Sequence, residues 1–329
     1  MVDLTLEKIA TFSPAVGRLP VRSGADRTFG FLSLASALFV LAMFVGIMVA
    51  LTYGAWPAIQ AFGFSFLWTQ IWNPVTQKFG AVAPIYGTLI TSAIAMLIAV
   101  PVGIGTAIFL TELCPRPLRR PIGIAVELLA GIPSIIYGIW GLFVLAPFLQ
   151  KFIMPPIINA ADGIPVLSDL FAGPPFGIGI FTAGLILAIM ILPFIAAVTR
   201  DVFLTVPPVL KEAAYGLGAT PWEVQRDVVL PYARAGVVGA MMLALGRALG
   251  ETMAVTFVIG NAHRISPSLF AAGTTISAAI ATEFTEAVGP LYGPALIELG
   301  LILFLVTVVV LGFARFMLYR LELRAGGRS

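Results

Sequence analysis

An all-α membrane fold with six transmembrane helices and both chain ends in the cytoplasm is what this sequence predicts. Three observations carry the prediction. Of 329 residues, 59% are hydrophobic and only 11% charged, where soluble domains run about 45–50% apolar and about 25% charged. Mean hydropathy is +1.02, and apolar runs long enough to cross a bilayer recur six times along the chain. Lys and Arg, finally, concentrate in alternate loops. With so few charges a soluble fold of this length could not cover its surface with polar groups. Disorder, coiled coil and nucleic-acid binding are excluded, the last despite a pI near 9.2.

The apolar stretches lie at about 29–54, 84–112, 122–148, 177–199, 235–260 and 291–314, each near or above the roughly 20 residues a spanning helix needs. Lipid cannot satisfy free backbone groups, and the runs lack the alternation of a barrel strand, so helices are expected. The first run exceeds the roughly 7–15 residues of a signal-peptide core and follows a polar tail over 1–28, so it reads as a span that is kept. Lys and Arg then count 4, 1, 3, 1, 4, 1 and 4 in the successive segments 1–28, 55–83, 113–121, 149–176, 200–234, 261–290 and 315–329. The basic segments belong inside. One basic residue remains, Arg247, in the middle of the fifth run.

The outer loops carry little charge. Phe64, Trp68 and Trp72 recur at i, i+4, i+8 and would form one aromatic helix face, either an interfacial belt or a docking surface. Segment 149–176 holds Pro155, Pro156, Pro165, Pro174 and Pro175 and is expected to be irregular. Glycines and prolines inside the spans (Pro101, Gly103, Gly105, Gly131, Pro133, Pro193) suit close packing and kinks.

Enzyme chemistry is not legible here. Cys114 and His263 are the single residues of their types, and no Gly-Lys dipeptide offers a phosphate-binding loop. No catalytic residue, metal site or cofactor is therefore expected in this chain. Uphill transport would need energy from another subunit.

The longest inner loop, 200–234, is the most informative polar stretch. Pro207 and Pro208 precede a short helix-forming run over Lys211-Glu212-Ala213-Ala214-Tyr215 that ends at Gly216 and Gly218. Thr220 is an apt N-cap, with Pro221 at N1 and Glu223 at N3 closing a capping box. Pro231 is expected to stop the second helix before the fifth span. A compact helix–turn–helix at the cytoplasmic face serves equally as a connector or as a docking knob.

Arg247 and Glu251 lie about 12 and 16 residues into the fifth run, near the bilayer centre. A charge there costs about 2.5–3.5 kcal/mol on insertion scales, so the two are expected to pair. At i, i+4 they would share a helix face, with Gly246 and Gly250 admitting a neighbouring helix. Such a pair can lock the bundle, or its guanidinium fork can hold a tetrahedral oxyanion in transit. Glu251 would then neutralise Arg247 between cycles and accept a hydrogen bond from a protonated phosphate. Glu127 and Glu298 are weaker candidates, and Glu283 and Glu286 read as solvated charges.

Glu212-Ala213-Ala214, Gly218 and Leu230-Pro231 resemble the EAA motif of ABC-importer permeases. Phe66-Leu67-Trp68-Thr69, Ala83-Pro84-Ile85-Tyr86-Gly87-Thr88, Ile132-Pro133-Ser134-Ile135-Ile136-Tyr137-Gly138 and the run Gly246–Thr256 resemble the PstC-type permeases of bacterial phosphate (Pst) importers, over about 30–317. The resemblance implies a type I ABC-importer permease fold in the bacterial inner membrane: a cytoplasmic tail over 1–28 and a permease domain over 29–329. It implies that Glu212, Ala213, Ala214, Gly218, Leu230 and Pro231 couple to an ATPase, and that Arg247 and Glu251 serve phosphate translocation. The implied partners are a homologous second permease (PstA-like), two ATPase copies (PstB-like) holding ATP and Mg²⁺, and a periplasmic phosphate-binding protein (PstS-like). A permease for another oxyanion, or an ion-coupled carrier using Arg247 and Glu251 as a relay, are the competing readings.

Overall fold

The computed structural model describes residues 24–326; the expected N-terminal tail up to residue 23, and Arg328 at the other end, lie outside them. The chain divides into two compact units, 1–50 and 51–329. In the first, the described residues belong to helix α1 (Gly24–Phe62), whose Phe31, Phe39 and Val49 are exposed, an apolar surface suited to lipid.

In the second unit α1 ends in a tight turn over Gly63–Leu67, followed by α2 (Val82–Leu113), α3 (Arg116–Ala130), α4 (Ser134–Ala161) and α5 (Ile180–Leu204). Then come α6 (Pro208–Gly216), α7 (Pro221–Gly250), α8 (Ile276–Glu283) and α9 (Tyr292–Gly326). Among the described residues no strand forms, and six helices (α1, α2, α4, α5, α7, α9) are long and apolar enough to span a membrane. The third span is displaced from its expected place. Gly131 and Pro133 end α3, and the spanning helix runs over Ser134–Ala161 rather than 122–148.

The centre of the second unit is α5, two-thirds of whose most apolar stretch is buried. Glycine is what lets α2 approach it: a Cβ on Gly103 would stand 2.8 Å from Ile195 Cγ2, and one on Gly184 would stand 2.7 Å from Ile94 Cγ2. Around this contact Ile186, Leu187, Ile191 and Ile195 form a core with Ala95, Ala99, Ala244, Ala248 and Val258.

Prolines shape the helices in a way their local signal does not announce. Wide π turns occur at Phe109–Leu113, Gly141–Leu145, Leu149–Ile153 and Val224–Val229. Each ends two residues before a proline: Pro115, Pro147, Pro155 and Pro231. A proline ring collides with the carbonyl four residues back and cannot donate to it. Widening the preceding turn moves that carbonyl aside. Two expectations are thereby corrected. Segment 149–161 is helical despite Pro155 and Pro156, and Pro231 does not stop a helix, because α7 runs through it from Pro221 to Gly250.

Candidate functional site

The 200–234 loop folds as expected up to Pro231. α6 starts with Pro208 at its N-terminus and closes through Leu217 N–H to Ala213 O (3.2 Å) and Ala219 N–H to Ala214 O (3.1 Å). Gly218 turns the chain at φ +88°, the left-handed conformation that costs a side-chain-bearing residue most. Thr220 and Glu223 then form both halves of the capping box: Thr220 N–H donates to Glu223 Oε2 (2.7 Å) and Glu223 N–H to Thr220 Oγ1 (3.4 Å).

This element has two faces. Inward, Ala214, Ala219, Val224 and Val229 pack with Phe203, Val206 and Ala107 into a core under α2, α5 and α7. Lys211 Nζ donates to Glu112 Oε1 at 2.6 Å, with side chains 18% and 15% exposed. Glu112 sits in the wide turn that ends α2. Outward, Glu212, Ala213 and Gly218 are exposed beside Leu217 at 91% and Trp222 at 62%. Leu230 and Pro231 begin the regular α-helical part of α7.

The far end of α7 carries Arg247, and here the sequence reading is corrected. α7 ends at Gly250, and Glu251 is already extended (φ −68°, ψ 130°). The chain departs from the helix after Glu251, whose carboxylate is taken up by the segment that follows, and Arg247 and Glu251 form no ion pair. Glu251 Oε1 accepts instead from Ala254 N–H (3.3 Å) and opens a one-turn helix, Met253–Thr256. Arg247 is exposed and, within the described chain, has no hydrogen-bonding or ion-pair partner; its electrostatic neighbour is Tyr137. The Tyr137 hydroxyl donates to Leu129 O (2.8 Å). Gly246 packs toward α9, a Cβ there standing 3.5 Å from Leu311.

The motifs singled out in the sequence meet in space. A Cβ on Gly138 would lie 2.8 Å from Phe257 Cδ2 and 3.1 Å from the Ala254 Cα, so α4 rests on the turn after Arg247. Thr88 Oγ1 accepts from Ile276 N–H (3.0 Å) and Tyr86 donates to Ser266 O (3.1 Å), holding the 266–276 segment on α2.

Other charged residues depart from expectation. Glu283 is no solvated charge. It bonds His263 Nε2 (2.5 Å), Tyr292 (2.6 Å) and Trp72 Nε1 (2.7 Å), and Trp72 stacks on His263 at 4.6 Å. Burial opposes its charge, yet the bonds from His263, Tyr292 and Trp72 hold the Glu283 carboxyl below its usual range. Trp72 is thus drawn inward and leaves the predicted aromatic face, while Phe64 and Trp68 stay exposed. Glu127 pairs with Arg200 at 2.6 Å. Glu298 is buried at 7% exposure with Oε2 unpartnered. No group of metal-ligating side chains occurs among the described residues.

Residues 99–322 match the family of binding-protein-dependent transport system inner membrane components. The phosphate transport system permease protein PstC of Mesorhizobium japonicum is 68% identical over 301 residues, 92% of each chain. Its namesake from Pasteurella multocida is 60% identical over 290 residues, 88% of this chain and 90% of that one. Among solved structures, a chain of the bacterial alginate ABC transporter, in complex with alginate pentasaccharide-bound periplasmic protein, shares the fold. It is 20% identical with TM-score 0.58, over 92% of this chain and 98% of that one.

Proposed function

Since the chain belongs to the binding-protein-dependent transport system inner membrane components, we propose that it is the PstC-type permease subunit of an ATP-driven phosphate importer in the bacterial inner membrane. One observation carries the reading. A single helix, α7, runs from the capped turn at Thr220 to the last turn before Gly250, where Arg247 presents a guanidinium that no described residue pairs.

On this reading the basic end of the bundle is cytoplasmic, and Glu212, Ala213 and the Gly218 turn form the knob that an ATPase subunit receives. The ATPase supplies ATP hydrolysis with its own Mg²⁺; this chain supplies no catalytic group. Lys211 and Glu112 tie the knob to α2, and the shared apolar core ties it to α5 and α7, so movement of the knob moves three spanning helices. A homologous second permease covers the face on which Arg247 lies, completing an aqueous passage, and a periplasmic phosphate-binding protein delivers the anion.

An unpaired guanidinium facing lipid would be costly, which supports a water- or anion-filled neighbour for Arg247. Its planar fork can hold two oxygens of phosphate at once. Glu251, with Oε1 on the Ala254 amide, keeps Oε2 for a proton that phosphate carries and sulfate at neutral pH lacks.

The test is phosphate uptake into liposomes by the assembled complex. Arg247→Gln should abolish uptake with assembly intact, and Arg247→Lys, which keeps charge but loses the fork, should reduce it strongly. Wild-type uptake by an assembled Arg247→Gln complex would end the assignment.

A further inference from the structure

A second basic site lies among residues that the proposed transport route does not use. Where α2 ends, α3 begins and α5 finishes, a cavity of about 350 Å³ is lined by Arg116, Arg119, Arg120 and Arg200, with Glu127 as its acidic member. That volume suits a headgroup-sized ligand, near the low end of the roughly 300–1,000 Å³ of ligand clefts.

Its charges are unevenly satisfied. Arg200 is engaged through Nε and Nη2, bonding Glu127 at 2.6 Å and Asp201 at 2.8 Å. It reaches Glu127 by lying across Gly123, where a Cβ would stand 2.6 Å from Nη1. Arg119 gives one N–H to Cys114 O (3.3 Å), but its Nε is buried without a partner. Arg116 and Arg120 are exposed and form no ion pair or hydrogen bond within the described chain. Three guanidinium groups therefore converge on one cavity with no carboxylate of their own. Such a cluster suits an anion.

The apolar surroundings say which anion. Leu113, Leu118, Leu128 and Leu204 are exposed at 50% or more around the same helix ends. α3 is amphipathic, with arginines crowding its first turns and apolar residues following at Ile124, Leu128 and Leu129. A free anion would use the arginines and leave this apolar rim in water. A lipid uses both: the phosphodiester takes the guanidinium forks and the acyl chains cover the leucines. Basic pockets between spanning helices on the positively charged side of a membrane protein are places where acidic headgroups dock. We infer that the cavity bounded by Arg116, Arg119, Arg120 and Arg200 binds the phosphate headgroup of an anionic phospholipid.

The experiment uses the full chain, purified in detergent with the subunits that accompany it, delipidated and titrated with phosphatidylglycerol, phosphatidylcholine or inorganic phosphate. Bound lipid is counted by native mass spectrometry. Phosphatidylglycerol should bind in preference to phosphatidylcholine, and millimolar inorganic phosphate should not displace it. In Arg116→Gln/Arg120→Gln, which alters only exposed side chains, phosphatidylglycerol affinity should fall roughly 30-fold, from about fivefold per arginine at the membrane surface. Arg264→Gln, a lone arginine of the opposite loop, should change nothing. Gly123→Ala, which displaces Arg200 without removing a charge, should weaken binding while leaving the chain inserted. Equal binding of both lipids, unchanged binding in the double variant, or displacement of the lipid by inorganic phosphate would each overturn the assignment.

Discussion

Breaking the bond between Lys211 and Glu112 should detach the knob from the membrane helices without unfolding either. The two groups meet at 2.6 Å with about four-fifths of each side chain withdrawn from solvent, so solvent screening of the pair is partial. A charge-assisted hydrogen bond of this kind contributes roughly 1.5–3 kcal/mol net. Lys211→Met leaves Glu112 half-buried and unpaired, and a loss of about 2 kcal/mol corresponds to a roughly 30-fold shift from attached to detached α6. The remaining attachment is the apolar contact of Ala214 and Ala219 with Phe203 and Val206, which is not directional. The assay is the ratio of phosphate taken up to ATP hydrolysed in proteoliposomes. Lys211→Met and Glu112→Gln should each lower the ratio while hydrolysis continues, and the exchanged pair Lys211→Glu/Glu112→Lys should recover much of it. A wild-type ratio in either single variant, or an exchanged pair no better than the singles, would refute the idea that this bond carries the motion.

Three further outcomes follow from other contacts. Gly218→Ala meets no atom within 4 Å but must hold φ +88°, so roughly 1–2 kcal/mol of strain should fall on the turn; uptake drops at normal abundance, while the helical, open Gly216→Ala stays near wild type. Gly138→Ala sets a methyl 2.8 Å from Phe257 and 3.1 Å from the Ala254 backbone, an overpacking of about 1–3 kcal/mol that should impair uptake and lower the melting temperature in detergent. Glu283, held below its usual range, contributes stability that is present above the ordinary carboxylate value and lost as pH falls through its lower native one; acid should therefore loosen the Trp72–His263 stack, read as a fluorescence change absent from Trp72→Phe, and Glu283→Gln should remove that acid limb.

What was legible in the sequence was local or averaged over long stretches. Hydropathy found the six spans because twenty apolar residues outweigh any one exception, though the third and fifth spans, Ser134–Ala161 and Pro221–Gly250, lie well away from the expected 122–148 and 235–260. The Thr220–Glu223 capping box was legible because all its atoms lie within four residues. Geometry that neighbours decide is not legible in the sequence. Pro231 was expected to end a helix, yet a wide turn over Val224–Val229 absorbs it, and nothing in composition marks where a helix will widen. Arg247 and Glu251 have the spacing of a pair, but the Glu251 carboxylate is taken by the Ala254 amide in the turn that follows Gly250. Glu283 looked solvated because its partners Trp72 and His263 lie 211 and 20 residues away. Long-range contact of that sort leaves no periodic trace.

The continuity of α7 through Pro231 has a mechanical consequence. Thirty residues of helix over Pro221–Gly250 are about 45 Å long at 1.5 Å per residue. If the helix tilts by about 5° about its capped start, the other end travels roughly 4 Å, more than the length of a hydrogen bond. A guanidinium near that end can then pass from contact with an anion to complete separation through a rotation smaller than the ordinary scatter of helix crossing angles. No hinge beside Arg247 is required. Had Pro231 broken the helix, the same tilt would have been dissipated at the joint, and a far larger motion of the knob would be needed to release the same ion.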